Sequence, residues 1–164
     1  MNLIKIIGLC HLFGVIIENS YGLIPQVNYY LDKFYLISFV SIPLSWLFFK
    51  DECLISYFIK KIENPKYKLG DTPNDIKDIA VFFKPNHYVN FAFVNSFLRV
   101  LSVSIVNNRS LNISNYYLIP INSMYLFYSN DINFNLNLRK YLSPYFEIIF
   151  SFYLFSFLLL IYKK

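Results

Sequence analysis

The end of the chain, residues 148–162, is a run of fifteen residues that carries no charge and is almost wholly aromatic or aliphatic. At about 1.5 Å per residue in a helix, the run covers only part of a hydrocarbon core about 30 Å thick. Residues 145–147 and the terminal Lys163 and Lys164 complete the span and add a cationic anchor. The sequence therefore predicts a protein of the lipid bilayer.

Composition supports the same interpretation. The chain is 56% hydrophobic and 21% aromatic, and its 15% of charged residues lies well below the soluble average of about 25%. With 164 residues it has the length of one domain. We therefore expect residues 1–164 to form a single integral membrane domain of the all-α class, a helical transmembrane bundle.

Hydropathy predicts about four spans in this bundle. They cover residues 3–23, residues 34–52 with an interfacial extension to residue 59, residues 89–106 and residues 145–162. A cleaved signal peptide is the alternative for the first span. His11 interrupts its apolar core, and residues 18–22 lack a small-x-small cleavage site, so a retained helix is favoured.

Two loops separate these spans. Residues 60–88 contain several Pro and Gly residues and mixed charge, and residues 107–144 form an Asn/Ser-rich loop. The apolar patch at residues 116–128 is too short for a span and contains Pro120, which predicts an interfacial or re-entrant segment. Whether residues 53–59 and 116–128 are interfacial, re-entrant or spanning stays open at this point.

Charge asymmetry gives the expected orientation. With four spans and a cytoplasmic N-terminus, nine lysines lie inside and four Lys or Arg residues lie outside. Both termini are then cytoplasmic, and the loop at 107–144 is on the outer side. Two N-glycosylation sequons, beginning at Asn108 and Asn112, fall in this outer loop.

Polar side chains recur at helical spacing inside the predicted spans. The candidate intramembrane residues are His11, Glu18, Ser45, Glu52, Cys53, Arg99 and Glu147. A charged side chain inside a span costs about 2.5–3.5 kcal/mol, so each should face the bundle interior and find a partner. Two interpretations follow: hydrogen bonds that hold the helices together, or a proton or ion pathway in which His11 passes charge between carboxylates.

The sequence contains no pattern typical of an enzyme active site. It lacks a nucleophile elbow, a phosphate-binding glycine loop and a zinc-protease motif, and it has only two histidines. Cys10 and Cys53 lie in apolar surroundings at unrelated spacing, which predicts buried free thiols, with a redox role for Cys53 as the enzymatic alternative. No metal site, cofactor or nucleic-acid interface is expected, because the cations are scattered and no basic run occurs.

One segment carries a family resemblance. Residues 42–46 (IPLSW), 51–54 (DECL), 63–65 (ENP) and 67–70 (YKLG) resemble a segment of uncharacterised small multi-pass membrane proteins encoded by large DNA viruses. The segment is also faintly similar to bacterial four-helix proteins that carry a Pro-Leu-Thr turn, although Ser45 replaces the threonine here. The resemblance implies no activity, but it directs attention to Trp46, Glu52 and Cys53.

The sequence thus predicts a multi-pass integral membrane protein that acts as a structural or interaction component, with no catalytic activity that the sequence motifs assign. The alternative is a small proton, ion or solute transporter subunit. Its expected partners are the lipid bilayer and either further copies of the chain or other membrane proteins. For a viral protein, the expected location is a host endomembrane or the virion envelope.

Overall fold

A computed structural model describes residues 3–25, 28–73, 75–84 and 87–164, and within these ranges the regular structure is helical, without a strand. The helices are α1 (Leu3–Ser20), α2 (Tyr29–Phe48), α3 (Leu54–Glu63), α4 (Lys77–Ala80), α5 (His87–Val106), α6 (Asn115–Asn133), α7 (Arg139–Leu142) and α8 (Tyr145–Lys163). A 3₁₀ turn, Tyr21–Leu23, follows α1, and a π-helical turn, Asn107–Leu111, follows α5. Residues 74 and 85–86 of the predicted loop 60–88 lie outside the described ranges.

Four helices are long and apolar enough to cross a bilayer, which confirms the all-helical prediction at this level. Continuous helical stretches at Leu3–Leu23, Tyr29–Phe48, His87–Leu111 and Tyr145–Lys163 have mean hydropathies between 1.3 and 1.9. Their surfaces carry many exposed apolar side chains, including Phe13, Val94 and Phe152. Such surfaces suit a hydrocarbon environment, since no water-soluble bundle benefits from leaving them uncovered.

The second span differs from its prediction at both ends. The side chain of Asn28 accepts a hydrogen bond of 2.8 Å from the backbone N–H of Tyr30, so α2 begins at Tyr29 rather than at residue 34. It ends at Phe48 because Lys50 and Asp51 adopt φ values of 51° and 70°, which no helix continues. Glu52 therefore does not extend the polar face of α2 on which Ser45 lies.

The predicted interfacial extension is a separate amphipathic helix, α3. Ile55, Phe58 and Ile62 are exposed along one of its sides, whereas Ser56 and Lys60 are buried on another. This arrangement orients the polar side chains of α3 toward the rest of the protein. It also fixes the position of Cys53, which is the N-cap residue of α3.

The predicted outer loop at 107–144 contains a long helix instead. Helix α6, Asn115–Asn133, packs between α5 and α8, and its length matches that of the spans. Asn and Ser residues lower its hydropathy, but several are buried against neighbouring helices, as when the side-chain amide of Asn122 donates to Ser104 at 3.2 Å. Hydropathy underestimates such a helix because neighbouring helices satisfy its polar groups.

The bundle core lies where α2, α5, α6 and α8 meet. Its fully buried side chains include Leu36, Phe39, Val40, Val103, Ile121, Tyr128, Phe150, Leu154, Phe157 and Ile161. The ring centroids of Tyr128 and Phe150 are 5.8 Å apart in an edge arrangement. Helix α1 stands outside this core, packed on α5 and α4, and the space between it and the core becomes the candidate site.

Two contacts at opposite ends of α2 define the direction of the last helix. The hydroxyl of Tyr29 donates to the terminal carbonyl of Lys164 at 2.7 Å, and the guanidinium of Arg139, just before α8, pairs with Asp51. Helix α8 therefore runs antiparallel to α2. Helices α1, α2, α5, α6 and α8 each cross the bundle, so the start of α1 and the end of α8 lie at opposite faces. The predicted placement of both termini at one face is wrong for this fold, because α6 adds a traverse.

Candidate active site

A cavity of about 650 Å³ lies between α1, α2, α5, α6 and the segment that carries α3 and α4. Its volume is within the range of about 300–1,000 Å³ that is usual for ligand sites. Five of the candidate residues predicted from sequence line this one cavity: His11, Glu18, Ser45, Cys53 and Arg99. Glu52 and Glu147 belong to other clusters.

Three side chains form a hydrogen-bonded series on the cavity wall. The Nδ1 atom of His11 is 2.6 Å from Oδ2 of Asp78, and its Nε2 atom is 3.7 Å from Sγ of Cys53. The two ring nitrogens of His11 thus face different partners, Nδ1 the carboxylate and Nε2 the thiol. The hydroxyl of Ser56 donates to the second carboxylate oxygen, Oδ1 of Asp78, at 2.8 Å.

The backbone brings these three residues together from distant parts of the chain. Helix α4 lies directly on α1 at Gly8, where an added Cβ would collide with the backbone of Asp78. The absence of a side chain at Gly8 lets α4 approach until Asp78 reaches His11, one turn further along α1. Cys53 contacts His11 from the start of α3, where it is the N-cap residue.

The electrostatic surroundings of Cys53 favour the thiolate. Burial opposes ionisation of the thiol, but the hydrogen bond and the charge of His11, together with the backbone N–H groups of Ile55 and Ser56, outweigh it and lower the pKa of Cys53. Burial also opposes ionisation of Asp78, and the hydrogen bonds from His11 and Ser56 hold the pKa of that carboxyl below its ordinary value. Asp78 is therefore an anion at neutral pH.

This arrangement contains the parts needed for covalent catalysis by a thiol. A nucleophile lies within hydrogen-bonding reach of a base, and an anionic group orients that base. Cys53 is the N-cap residue of α3, where the positive end of the helix dipole stabilises negative charge on the sulfur. In the sequence Cys53 is an isolated thiol, because His11 lies 42 residues away from it along the chain.

Glu52, the residue before Cys53, lies in a buried cluster behind the site. Its Oε1 atom accepts from Nζ of Lys60 at 2.8 Å and from the hydroxyl of Tyr67 at 2.6 Å, and its Oε2 atom accepts from the N–H of Gly70 at 2.9 Å. Both charged side chains are almost fully buried. The cluster ties the start of α3 to the loop that leads toward Asp78.

Glu18 and Arg99 form an ion pair at the far end of the cavity. The Nη2 atom of Arg99 is 2.7 Å from Oε1 of Glu18, and Nη1 donates to Asn19 at 3.2 Å. Ser38 adds a hydrogen bond of 3.1 Å to Glu18. Arg99 is 4% exposed, and its Nε atom has no hydrogen-bond partner in the structure.

The last candidate, Glu147, stands at the start of α8. Its Oε1 atom lies 4.0 Å from Nη1 of Arg139, which pairs chiefly with Asp51. The hydroxyl of Tyr128 donates to the same Asp51 carboxylate at 2.7 Å. This cluster joins the end of α2 to the start of α8 and does not line the cavity.

Sequence reasoning missed Asp78 and the significance of two glycines. Asp78 lies in a polar segment but is flanked by Ile76, Ile79 and Ala80, an apolar pattern that would have indicated burial of the short helix α4. Gly8 and Gly14 gave no signal, because a helical glycine in an apolar run can serve several roles. Both cysteines are free, but neither is fully buried, since Cys53 is half-buried and Cys10 is exposed and also lines the cavity.

Within the described ranges, no three His, Cys, Asp or Glu side chains are arranged to hold a metal ion. Comparison of the chain with protein-family models, with curated proteins and with solved structures gave no match.

Proposed function

We propose that this chain is a membrane-embedded enzyme that transfers or hydrolyses acyl groups through Cys53. The observation that supports the proposal is the series Cys53, His11 and Asp78 on the wall of a cavity large enough for a ligand. Neither a helix-packing role nor an ion pathway requires a thiol, an imidazole and a carboxylate in this order.

Each residue has a defined role in the proposed reaction. Nε2 of His11 takes the proton of the Cys53 thiol, and the thiolate attacks the carbonyl carbon of an ester or thioester. The carbon–sulfur bond to Cys53 forms, the bond to the leaving group breaks, and His11 returns the proton to that group. Water or another hydroxyl compound then gives its proton to His11 and attacks the acyl carbon, the carbon–sulfur bond breaks, and His11 returns the proton to the sulfur. Asp78 orients the imidazole throughout.

The position of His11 argues for an apolar substrate. His11 lies eight residues beyond Leu3, which is about 12 Å along α1 and near the middle of that candidate span. A substrate that reaches this depth must dissolve in the bilayer or present an apolar acyl chain to it. The proposed substrates are therefore membrane-soluble acyl compounds.

The acyl-enzyme is the species to measure. The full chain in nanodiscs, carrying Cys10→Ser, is mixed with a medium-chain p-nitrophenyl ester, and intact-mass and peptide spectra are recorded. We expect a burst of one p-nitrophenolate per chain and a hydroxylamine-sensitive acyl group on Cys53. The burst should be absent in Cys53→Ser and slowed at least 100-fold in His11→Gln, whereas His87→Gln serves as the matched control. A folded protein that never acylates Cys53 would rule out the proposal.

The interpretations predicted from sequence alone are the competing candidates. His11, Glu18 and Arg99 share one cavity, which favours the proton or ion pathway in part. Glu52 and Glu147 lie outside that cavity, so the polar series does not extend to either end. Conductance of liposomes with Glu18→Gln as the test variant distinguishes a pathway from the enzyme, and loss of folded protein alone would favour a structural or interaction component.

Orientation and location complete the proposal. Ten of the fifteen Lys and Arg residues lie at the face that carries the N-terminus, four lie at the opposite face, and Arg99 lies between them. The positive-inside rule then gives a cytoplasmic N-terminus in a multi-pass protein whose C-terminus is on the outer side. The resemblance to viral membrane proteins makes a host endomembrane or a virion envelope the proposed location.

A further inference from the structure

We infer that the cavity binds a single apolar chain of limited length. The reactive end of this chain lies at Cys53, and its far end meets Glu18 and Arg99. The chain-length limit concerns the cavity itself. The identification of that chain as the acyl part of a substrate rests on the proposed function.

One side of α1 forms a wall along the whole cavity. His11, Gly14, Val15 and Glu18 all line it, at steps of three, four and seven residues. These steps place the four residues on one face of a helix, one above the other. This part of the cavity therefore extends along α1 from the imidazole to the carboxylate, and Ile7 and Cys10 line the cavity on the other side of the imidazole.

Gly14 marks open space at the middle of this wall. A Cβ added at Gly14 would meet nothing within 4 Å, whereas one added at Gly8 or Gly22 would collide with backbone of a neighbouring segment. Gly14 is thus the one of these three glycines that borders space rather than protein. Apolar lining from Val15, Ile42 and other side chains surrounds that space, which suits an alkyl chain.

The distance between His11 and Glu18 sets the length of the chain that fits between them. His11 and Glu18 are separated by seven residues, or about 10 Å along the helix axis. An extended chain advances about 1.2 Å per bond, since a residue of three backbone bonds spans at most about 3.6 Å, so the space admits roughly eight to nine bonds. The Glu18–Arg99 ion pair lies at the far end, and a longer apolar chain that continues along α1 would have to displace its polar contacts.

Alkyl methanethiosulfonates with chains of 4 to 16 carbons test the length limit directly. The Cys53 thiolate displaces methanesulfinate and forms a disulfide with the alkylthio group, so mass spectrometry of the full chain in nanodiscs gives the rate for each length. Cys10→Ser removes the exposed thiol. We expect the rate to rise to a maximum at about 8–10 carbons and to fall at least tenfold by 16.

Gly14→Leu adds a side chain in the open space at the middle of the wall. In this variant the maximum should shift to about 4–6 carbons, the 10-carbon rate should fall at least tenfold, and the 4-carbon rate should stay within about twofold. Gly14→Ala is the matched control and should retain a maximum no more than about two carbons shorter. The inference would be overturned if the rates did not depend on chain length or did not change in Gly14→Leu. It would also be overturned if every reagent gave a rate of zero.

The experiment separates this inference from the proposed function. Disulfide formation needs a reachable thiol and a chain-binding site but no leaving-group protonation or acyl transfer. A length maximum that shifts with Gly14→Leu, in a protein that forms no acyl-enzyme from esters, would establish the chain site and reject the enzyme. Ester turnover without any dependence on chain length would do the reverse.

Discussion

The imidazole of His11 lies 2.6 Å from the carboxylate of Asp78, although 67 residues separate the two along the chain. Gly8 permits this contact, because the absence of a side chain there lets helix α4 lie against α1. The remaining nitrogen of His11 then faces the thiol of Cys53. A histidine that sequence reasoning assigned to helix packing or an ion pathway thus lies between the side chains of Asp78 and Cys53.

The reactivity of Cys53 should depend on His11 across pH. The thiolate is the reactive form, so alkylation accelerates as pH rises through the pKa of the thiol. Because the net effect of its surroundings lowers the pKa of Cys53, the midpoint should lie below that of an ordinary thiol. His11→Gln should raise the midpoint and slow iodoacetamide labelling at pH 7 by about tenfold for each pH unit of the shift.

His87→Gln is the control for this titration, since His87 is exposed and begins α5. Labelling is followed by peptide mass spectrometry in the Cys10→Ser background. An unchanged midpoint in His11→Gln would show that the imidazole does not influence the thiol.

Two identical substitutions on α1 should have opposite effects. Gly8→Ala places a methyl group against the backbone of Asp78, so α4 must move, with an expected cost of about 1–3 kcal/mol in the free energy of unfolding. The displaced Asp78 should also slow acylation of Cys53. Gly14→Ala meets open space and should be neutral or stabilising by up to about 1 kcal/mol.

Thermal unfolding in detergent and the rate of the ester burst measure both effects on the same samples. Equal behaviour of the two alanine variants would mean that α4 does not depend on the close contact at Gly8.

The buried pair of Glu52 and Lys60 should respond to single and double substitution differently. Glu52→Gln leaves the Lys60 ammonium buried without its anion, which costs about 3–5 kcal/mol. Adding Lys60→Met removes that unpaired charge, so the double variant should recover most of the lost stability. In both variants the side-chain amide at position 52 can still form hydrogen bonds with the N–H of Gly70 and the hydroxyl of Tyr67.

Glu63→Gln, at an exposed position of the same helix, is the matched control and should change stability by less than about 0.5 kcal/mol. Denaturation of the four proteins in detergent provides the comparison. A double variant less stable than Glu52→Gln would argue against an ion pair at this position.

The direction of the last helix gives a prediction about topology. A C-terminal extension that carries an N-glycosylation sequon well beyond Lys164 should be modified in microsomes, because the contact of Tyr29 with Lys164 brings the C-terminus to the start of α2. A sequon inserted in a long polar extension near Asp71 should stay unmodified, since that loop follows the opposite end of α2. Modification near Asp71 but not at the C-terminus would reverse the orientation, and an unmodified pair would support four spans with both ends inside.

Hydropathy located the helices that can be recognised from their own residues. The charge-free run of α8 and the apolar length of α1 follow from the need to satisfy backbone hydrogen bonds without water, and this requirement is local. Helix α6 was not predicted as a long helix because Asn122 and other polar residues lower its hydropathy. Their partners, such as Ser104, belong to a different helix and are not visible in the local sequence.

The sequence by itself determined the helical class, the positions of the apolar spans and the presence of polar groups that would need partners. Only the tertiary structure decided which partners these are: Arg99 with Glu18, Glu52 with Lys60, and His11 with both Asp78 and Cys53. The physical reason is that hydrophobic periodicity specifies one face of a helix, whereas the pairing of faces depends on close packing between segments distant in the chain. At Gly8 the absence of one methyl group decides whether Asp78 reaches His11.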